Sequence, residues 1–97
     1  MIAAGIHTQA CAADLVAGEK ISQSCALCHG QFGITTMVGT PSIAGQPEVY
    51  LSNQLKQFRD GKRHNEVMNQ MAKPLSDADI VNVSAWFAQF ETELKKR

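Results

Sequence analysis

Charge of one sign, long apolar runs and aromatic residues are all scarce in this chain. Nine basic residues stand against nine acidic ones, for a formal net charge of zero. Bulk electrostatics therefore draw it neither to nucleic acid nor to an anionic membrane surface. The basic run at the end, Lys95 to Arg97, is short, and cations at a helix C-terminus are a sufficient explanation for it. No stretch of about 18 apolar residues exists, so no membrane span is expected. Four Phe, one Trp and one Tyr are the whole aromatic complement. No apolar–polar alternation marks a strand, and there is no repeat, low-complexity tract or linker. The 97 residues allow one domain. Domains this small bury a modest core and often recruit a disulfide, a metal or a cofactor to complete it.

Cysteine is sparse as well. Three are present, so they cannot all pair within the chain. Cys11 stands alone in MIAAGIHTQACA, a small and mildly apolar opening that ends in Ala10-Cys11-Ala12. That end resembles the cleavage site of a secretory signal, but the positive region is missing and the apolar part is too short. Residues 1–13 are read as a leader remnant or a flexible N-terminus, and residues 14–97 as the folded domain. Cys11 is read as an incidental free thiol. Thr8 stands where a lipid-anchor site would want an apolar residue.

Four segments have helical character, which gives an all-α fold. The first is expected from about Asp14 to Ser24, capped by Asp14, with Leu15, Ile21 and Cys25 roughly on one face. Gly30 to Gly45 forms a long loop, of the kind that is usually functional or wrapped around something. The second helix opens at Pro47, suited to a first helical turn, and carries Tyr50, Leu51, Leu55 and Phe58 at helical spacing before Gly61 ends it. A short third helix, about Asn65 to Ala72, stops at Pro74. The last begins at Ser76, where Asp79 completes a capping box. Its apolar stripe is Ile80, Val83, Phe87, Phe90 and Leu94.

The chemistry lies in Cys25-Ala26-Leu27-Cys28-His29. Two thiols separated by two residues can form thioethers to the two vinyl groups on one edge of a haem. The adjacent imidazole is then carried under the macrocycle, within reach of the iron. A thioredoxin-like redox pair would instead follow a strand in a βαβ unit, and here the pair ends a helix. A zinc site would need a fourth ligand from Cys11, His7 or His64, and none of these forms a second paired motif. Cofactor expected: one covalent haem c, with His29 as an axial iron ligand. For the opposite face of the iron the candidates are Met37, Met68, Met71 and His64. A thioether there stabilises reduced iron and raises the potential. A lone methionine is more often a flexible core filler. One of Met68 and Met71 is nonetheless favoured, because a covalent haem requires something on its far face.

Several motifs in order now make a resemblance specific: Cys-Ala-Leu-Cys-His-Gly, Thr40 to Gln46, Tyr50-Leu51 with Gln54-Leu55, Phe58-Arg59-Asp60-Gly61, and Met68-x-x-Met71 followed by Leu75-Ser76-Asp77. From about Asp14 to Phe90 the chain resembles the short bacterial class I cytochromes c, including the haem units found in tandem in diheme periplasmic cytochromes. The resemblance implies four helices wrapped round one haem, with the first and last helices crossing. It implies that Met68 is the axial ligand, with Met71 packing nearby and serving as the fallback. It implies that the Pro41 carbonyl accepts the hydrogen bond of the His29 ring, and that Gly18 is the small residue at the helix crossing, against Trp86. The N-terminal extension, and Ile34-Thr35-Thr36-Met37 in place of a more polar stretch, depart from the family pattern.

The expected function is single-electron transfer by iron that keeps both axial ligands, with no catalysis of its own. An enzyme acting on peroxide or a small gas through a displaceable ligand is the first rival. The electron-entry subunit of a larger dehydrogenase is the second. Redox proteins are the expected partners, with no nucleic acid and no membrane span, and the chain is expected to be a monomer or weak dimer. The resemblance implies haem attachment outside the cytoplasm, hence a periplasmic location.

Overall fold

Asp14 starts the first helix as the sequence requires. Its carboxylate accepts the Ala17 N–H at 3.0 Å, while its own N–H reaches Asn82 Oδ1 at 2.9 Å. The capping contact and the docking of this helix on the last one thus share a residue. The computed structural model describes residues 13–90. The expectations for residues 1–12, Cys11 among them, and for Leu94 and Lys95 to Arg97 lie outside those residues.

Four helices follow one another: α1 (Leu15–His29), α2 (Glu48–Arg59), α3 (Glu66–Ala72) and α4 (Asp77–Ala88). No strand occurs among the described residues. The expected end of α1 at Ser24 is corrected: the helix runs one turn further and holds Cys25, Cys28 and His29 within it. Nothing in Cys-Ala-Leu-Cys-His opposes helix. The chain breaks where Gly30 takes φ 92° and closes the end through its N–H to Ala26 O at 3.0 Å. Pro47 precedes α2 as its N-cap rather than standing inside it. Ser76 and Asp79 form the reciprocal capping box of α4.

Helices α1 and α4 meet at Gly18. A Cβ there would lie 2.1 Å from Asn82 O and 3.1 Å from Trp86 Cβ, so only glycine lets the two backbones approach this closely. The core is small. Leu51, Val83 and Phe87 form its buried cluster, with Ile21, Ile43, Leu55 and Trp86 packed around it. The loop after α1 is laced to this core. Gly33 O accepts from Ile43 N–H at 2.7 Å and Ala44 N–H at 3.0 Å, and Gly45 N–H donates to Phe87 O at 3.0 Å. Phe90 packs against Phe32 in a tilted contact and against Trp86 edge to face, with centroids 5.1 and 5.0 Å apart. Tyr50, Leu51, Leu55 and Phe58 face one cleft as their spacing implies, Tyr50 standing half exposed.

Candidate haem site

A cleft of about 650 Å³ opens between α1, the glycine-rich loop, α2 and α3. That volume lies within the range of sites for organic ligands and cofactors. The last turns of α1 form one wall. Helical spacing puts Cys25 and Cys28 three residues apart on one side of the helix, and both line the cleft as free thiols. Burial pushes the Cys25 thiol up from its ordinary value, because a thiolate would lose its hydration there.

His29 closes this wall. Its Nδ1 lies 2.7 Å from the Pro41 carbonyl oxygen. A carbonyl can only accept, so Nδ1 carries the proton and Nε2 keeps its lone pair. The ring is thereby oriented and left with one basic nitrogen, the arrangement of a metal-ligating histidine. The loop supporting Pro41 is tied to the same turn of α1. Thr35 Oγ1 donates to Cys28 O at 2.6 Å and accepts from the Met37 N–H at 2.9 Å.

Short helix α3 also lines the cleft. Met68 and Met71 both line the cleft, as does Met37 from the loop, whereas His64 does not. Met68 is half buried, while Met71 is 37% and Met37 49% exposed. Asn65 caps α3 through its side-chain oxygen, which accepts the N–H of Met68 itself at 2.9 Å. Among the described residues lining the cleft, Arg63 alone carries a permanent charge, and no carboxylate accompanies it. Its guanidinium sits 4.7 Å over the Phe58 ring and donates to Gln54 Oε1. Sequence reasoning passed over Arg63. The only available signal was an unpaired cation between two helices, which looks the same as an ordinary surface arginine.

This donor set fits a haem. Two thiols stand for its vinyl edge, an imidazole and a thioether for the two faces of its iron, and one guanidinium for its carboxylates. It fits zinc poorly. Among the described residues no group of three or more His, Cys, Asp or Glu comes together to hold a metal, and His7 and Cys11 lie outside them.

Comparison with known proteins points the same way. The cytochrome c family pattern matches residues 15–91. A thiosulfate dehydrogenase electron acceptor from Thiomonas intermedia is 40% identical over 81% of this chain, which spans 37% of that protein. Cytochrome c-554(548) from Halomonas halodenitrificans is 36% identical over 82% of this chain, and all of that protein is covered. The crystal structure of reduced cytochrome c4 from Pseudomonas stutzeri superposes with a TM-score of 0.75 at 29% identity. The match covers 81% of this chain and 50% of that one.

Proposed function

This chain belongs to the cytochrome c family, with haem c as its covalent cofactor, and from that premise we propose that it is a single-electron carrier whose haem is held by Cys25, Cys28, His29 and Met68. When bound, the haem supplies an iron that gains or loses one electron. Cys25 and Cys28 would hold the haem through thioether bonds to its vinyl groups. His29, through Nε2, and Met68, through its sulfur, would hold the iron. The Pro41 carbonyl fixes the ring and raises the basicity of that nitrogen. Arg63 meets the carboxylates that an otherwise uncharged cleft must accommodate. With an imidazole and a thioether both committed, the chain offers a substrate no ligand position, so the reading is a carrier and not an enzyme.

One observation carries this reading above the others: the hydrogen bond from His29 Nδ1 to Pro41 O, at the end of the helix turn that bears both thiols. It gives the imidazole the tautomer and aim that iron ligation needs, and a disulfide oxidoreductase has no use for it. The proposed domain runs from residue 14 to the end of the chain. No helix among the described residues is long and apolar enough to cross a membrane. Because this attachment chemistry is matured outside the bacterial cytoplasm, a periplasmic location is part of the proposal. So are redox-protein partners, in keeping with the electron-acceptor description of the Thiomonas relative.

Acid–organic extraction and a visible spectrum test the reading together. Colour should stay with the protein, and the oxidised form should show the weak far-red band of sulfur–iron ligation. Haem that partitions into solvent would overturn the thioether assignment. Rapid carbon monoxide binding to the reduced protein at neutral pH would favour the enzyme rival instead.

A further inference from the structure

The segment that carries Met68 has little packing to hold it. Residues 60–67 are all exposed, and Ala72 is the one buried residue of α3. A helix of seven residues is far shorter than one that stands alone in water. Hydrogen bonds back to α2 give the sulfur a second means of being held in place, beside whatever apolar contact the cleft provides.

The side chain of Asn69, next to Met68 in the chain, makes three hydrogen bonds. Its Nδ2 donates to Phe58 O at 2.8 Å and to Arg63 O at 2.9 Å, and its Oδ1 accepts the Asn65 N–H at 3.0 Å. The orientation of the amide is not in doubt, since two carbonyls require the NH2 group and one N–H requires the oxygen. Both acceptors belong to the end of α2 and the turn that follows it. We propose that Asn69 is the positioning residue that pins the Met68 arm to the end of α2 and sets how often the sulfur leaves the iron.

The inference rests on Met68 being the ligand. Met68 cannot withdraw far while α3 stays against Phe58 O, because the amide and the sulfur sit on adjacent residues of one short helix. Carrying α3 and its sulfur away from the cleft therefore requires breaking both donated bonds. Phe58 O would lose a 2.8 Å donor in a part-buried position and keep only the longer contact from the Gly61 N–H at 3.4 Å, which resists that movement, while Arg63 O lies exposed.

Imidazole binding to the ferric holoprotein reads the opening directly. At saturating imidazole the observed rate reaches a plateau equal to the rate at which the sulfur departs. Asn69→Asp keeps the oxygen that accepts from Asn65 and removes both donors. Asn69→Ala removes all three bonds yet improves the helix propensity of α3. Each should raise the plateau at least tenfold and weaken the far-red band, with the haem still attached and helicity unchanged. A plateau within twofold of the unaltered protein in both variants overturns the proposal. Met68→Ala should show no plateau at all. If it keeps one, the ligand reading fails first and the assignment falls with it. Should neither Asn69 variant fold, amide exchange in the unaltered ferric protein decides. The Asn65 amide should exchange at least a hundredfold slower than an open loop, and exchange at full loop speed overturns the tie.

Discussion

Met68 and Met71 share a helix face and a cleft, and their surroundings separate them. Asn65 caps the Met68 N–H, and Met68 is the less exposed of the two. Met68→Ala is expected to open the iron, lower the potential by a large margin and let carbon monoxide or cyanide bind fast. Met71→Leu nearly conserves volume and should cost less than about 1.5 kcal/mol with ligation intact. Redox titration and ligand-binding rates check both, and reversed phenotypes would exchange the two roles. The residues legible in the sequence are those whose chemistry is local. Cys25, Cys28 and His29 sit within five consecutive positions, because one edge and one face of a haem fix that spacing. Asn69 was not legible. Its acceptors are the backbone oxygens of residues 11 and 6 positions away, and a backbone oxygen leaves no trace in residue type.

Among the elements, the docking of α1 on α4 is the contact most exposed to a single change. A side chain at Gly18 meets the Asn82 carbonyl, which is backbone and cannot swing aside. Gly18→Val should therefore destabilise by at least the roughly 1–3 kcal/mol of ordinary overpacking, read as a lower denaturant midpoint. A midpoint equal to that of the unaltered protein would place Gly18 away from the interface. Helix α2 is joined to α4 by a different device. Arg59 donates to Asp77 Oδ1 at 2.7 Å and to Leu75 O at 3.3 Å. The hydrogen bond from that guanidinium, and then its charge, hold the Asp77 carboxyl below its usual range. A depressed carboxyl contributes stability above its unfolded pKa and loses it as pH falls through the folded value. The melting point of Asp77→Asn should thus lie below that of the unaltered protein at pH 7, and the gap should close as pH falls below the ordinary carboxylate range. A gap independent of pH would leave the ion pair without a role. The helix starts were readable from Asp14 and Ser76, whose caps are encoded by residue type. The end of α1 was not, because the cysteine motif reads as a site while its residues are also competent helix formers.

At the scale of the whole molecule, the protein part of the interior is thin. Leu51, Phe58, Ile80, Val83 and Phe87 are the large apolar side chains buried among the described residues, and a cleft of about 650 Å³ opens against four of them. The haem is therefore expected to complete the core. Replacing both Cys25 and Cys28 by Ala should leave a largely unfolded chain, since a ligand bound only by the native state is part of its stability. A cooperative melt with native helicity in that variant would show that the polypeptide folds unaided. The all-α class and the four segments were legible because periodicity and caps are local. The depth of the cleft was not, since it is defined by what four separate segments leave unfilled.

His29 and Met68 are far apart along the chain yet line one cleft, so the proposed ligation would give the iron a topological role. Bonded to both, the metal closes a loop of about forty residues, much as a disulfide would, and a crosslink of that length restricts the denatured chain by about 4 kcal/mol. This crosslink differs from a disulfide in that one of its bonds varies with the electron it stores, because sulfur holds ferrous iron more firmly than ferric. Oxidation then loosens the tether and reduction tightens it. The reduced protein should withstand more denaturant than the oxidised one, and the difference should vanish in Met68→Ala. Its reduction potential and its mechanical integrity are in this sense two readings of one spring.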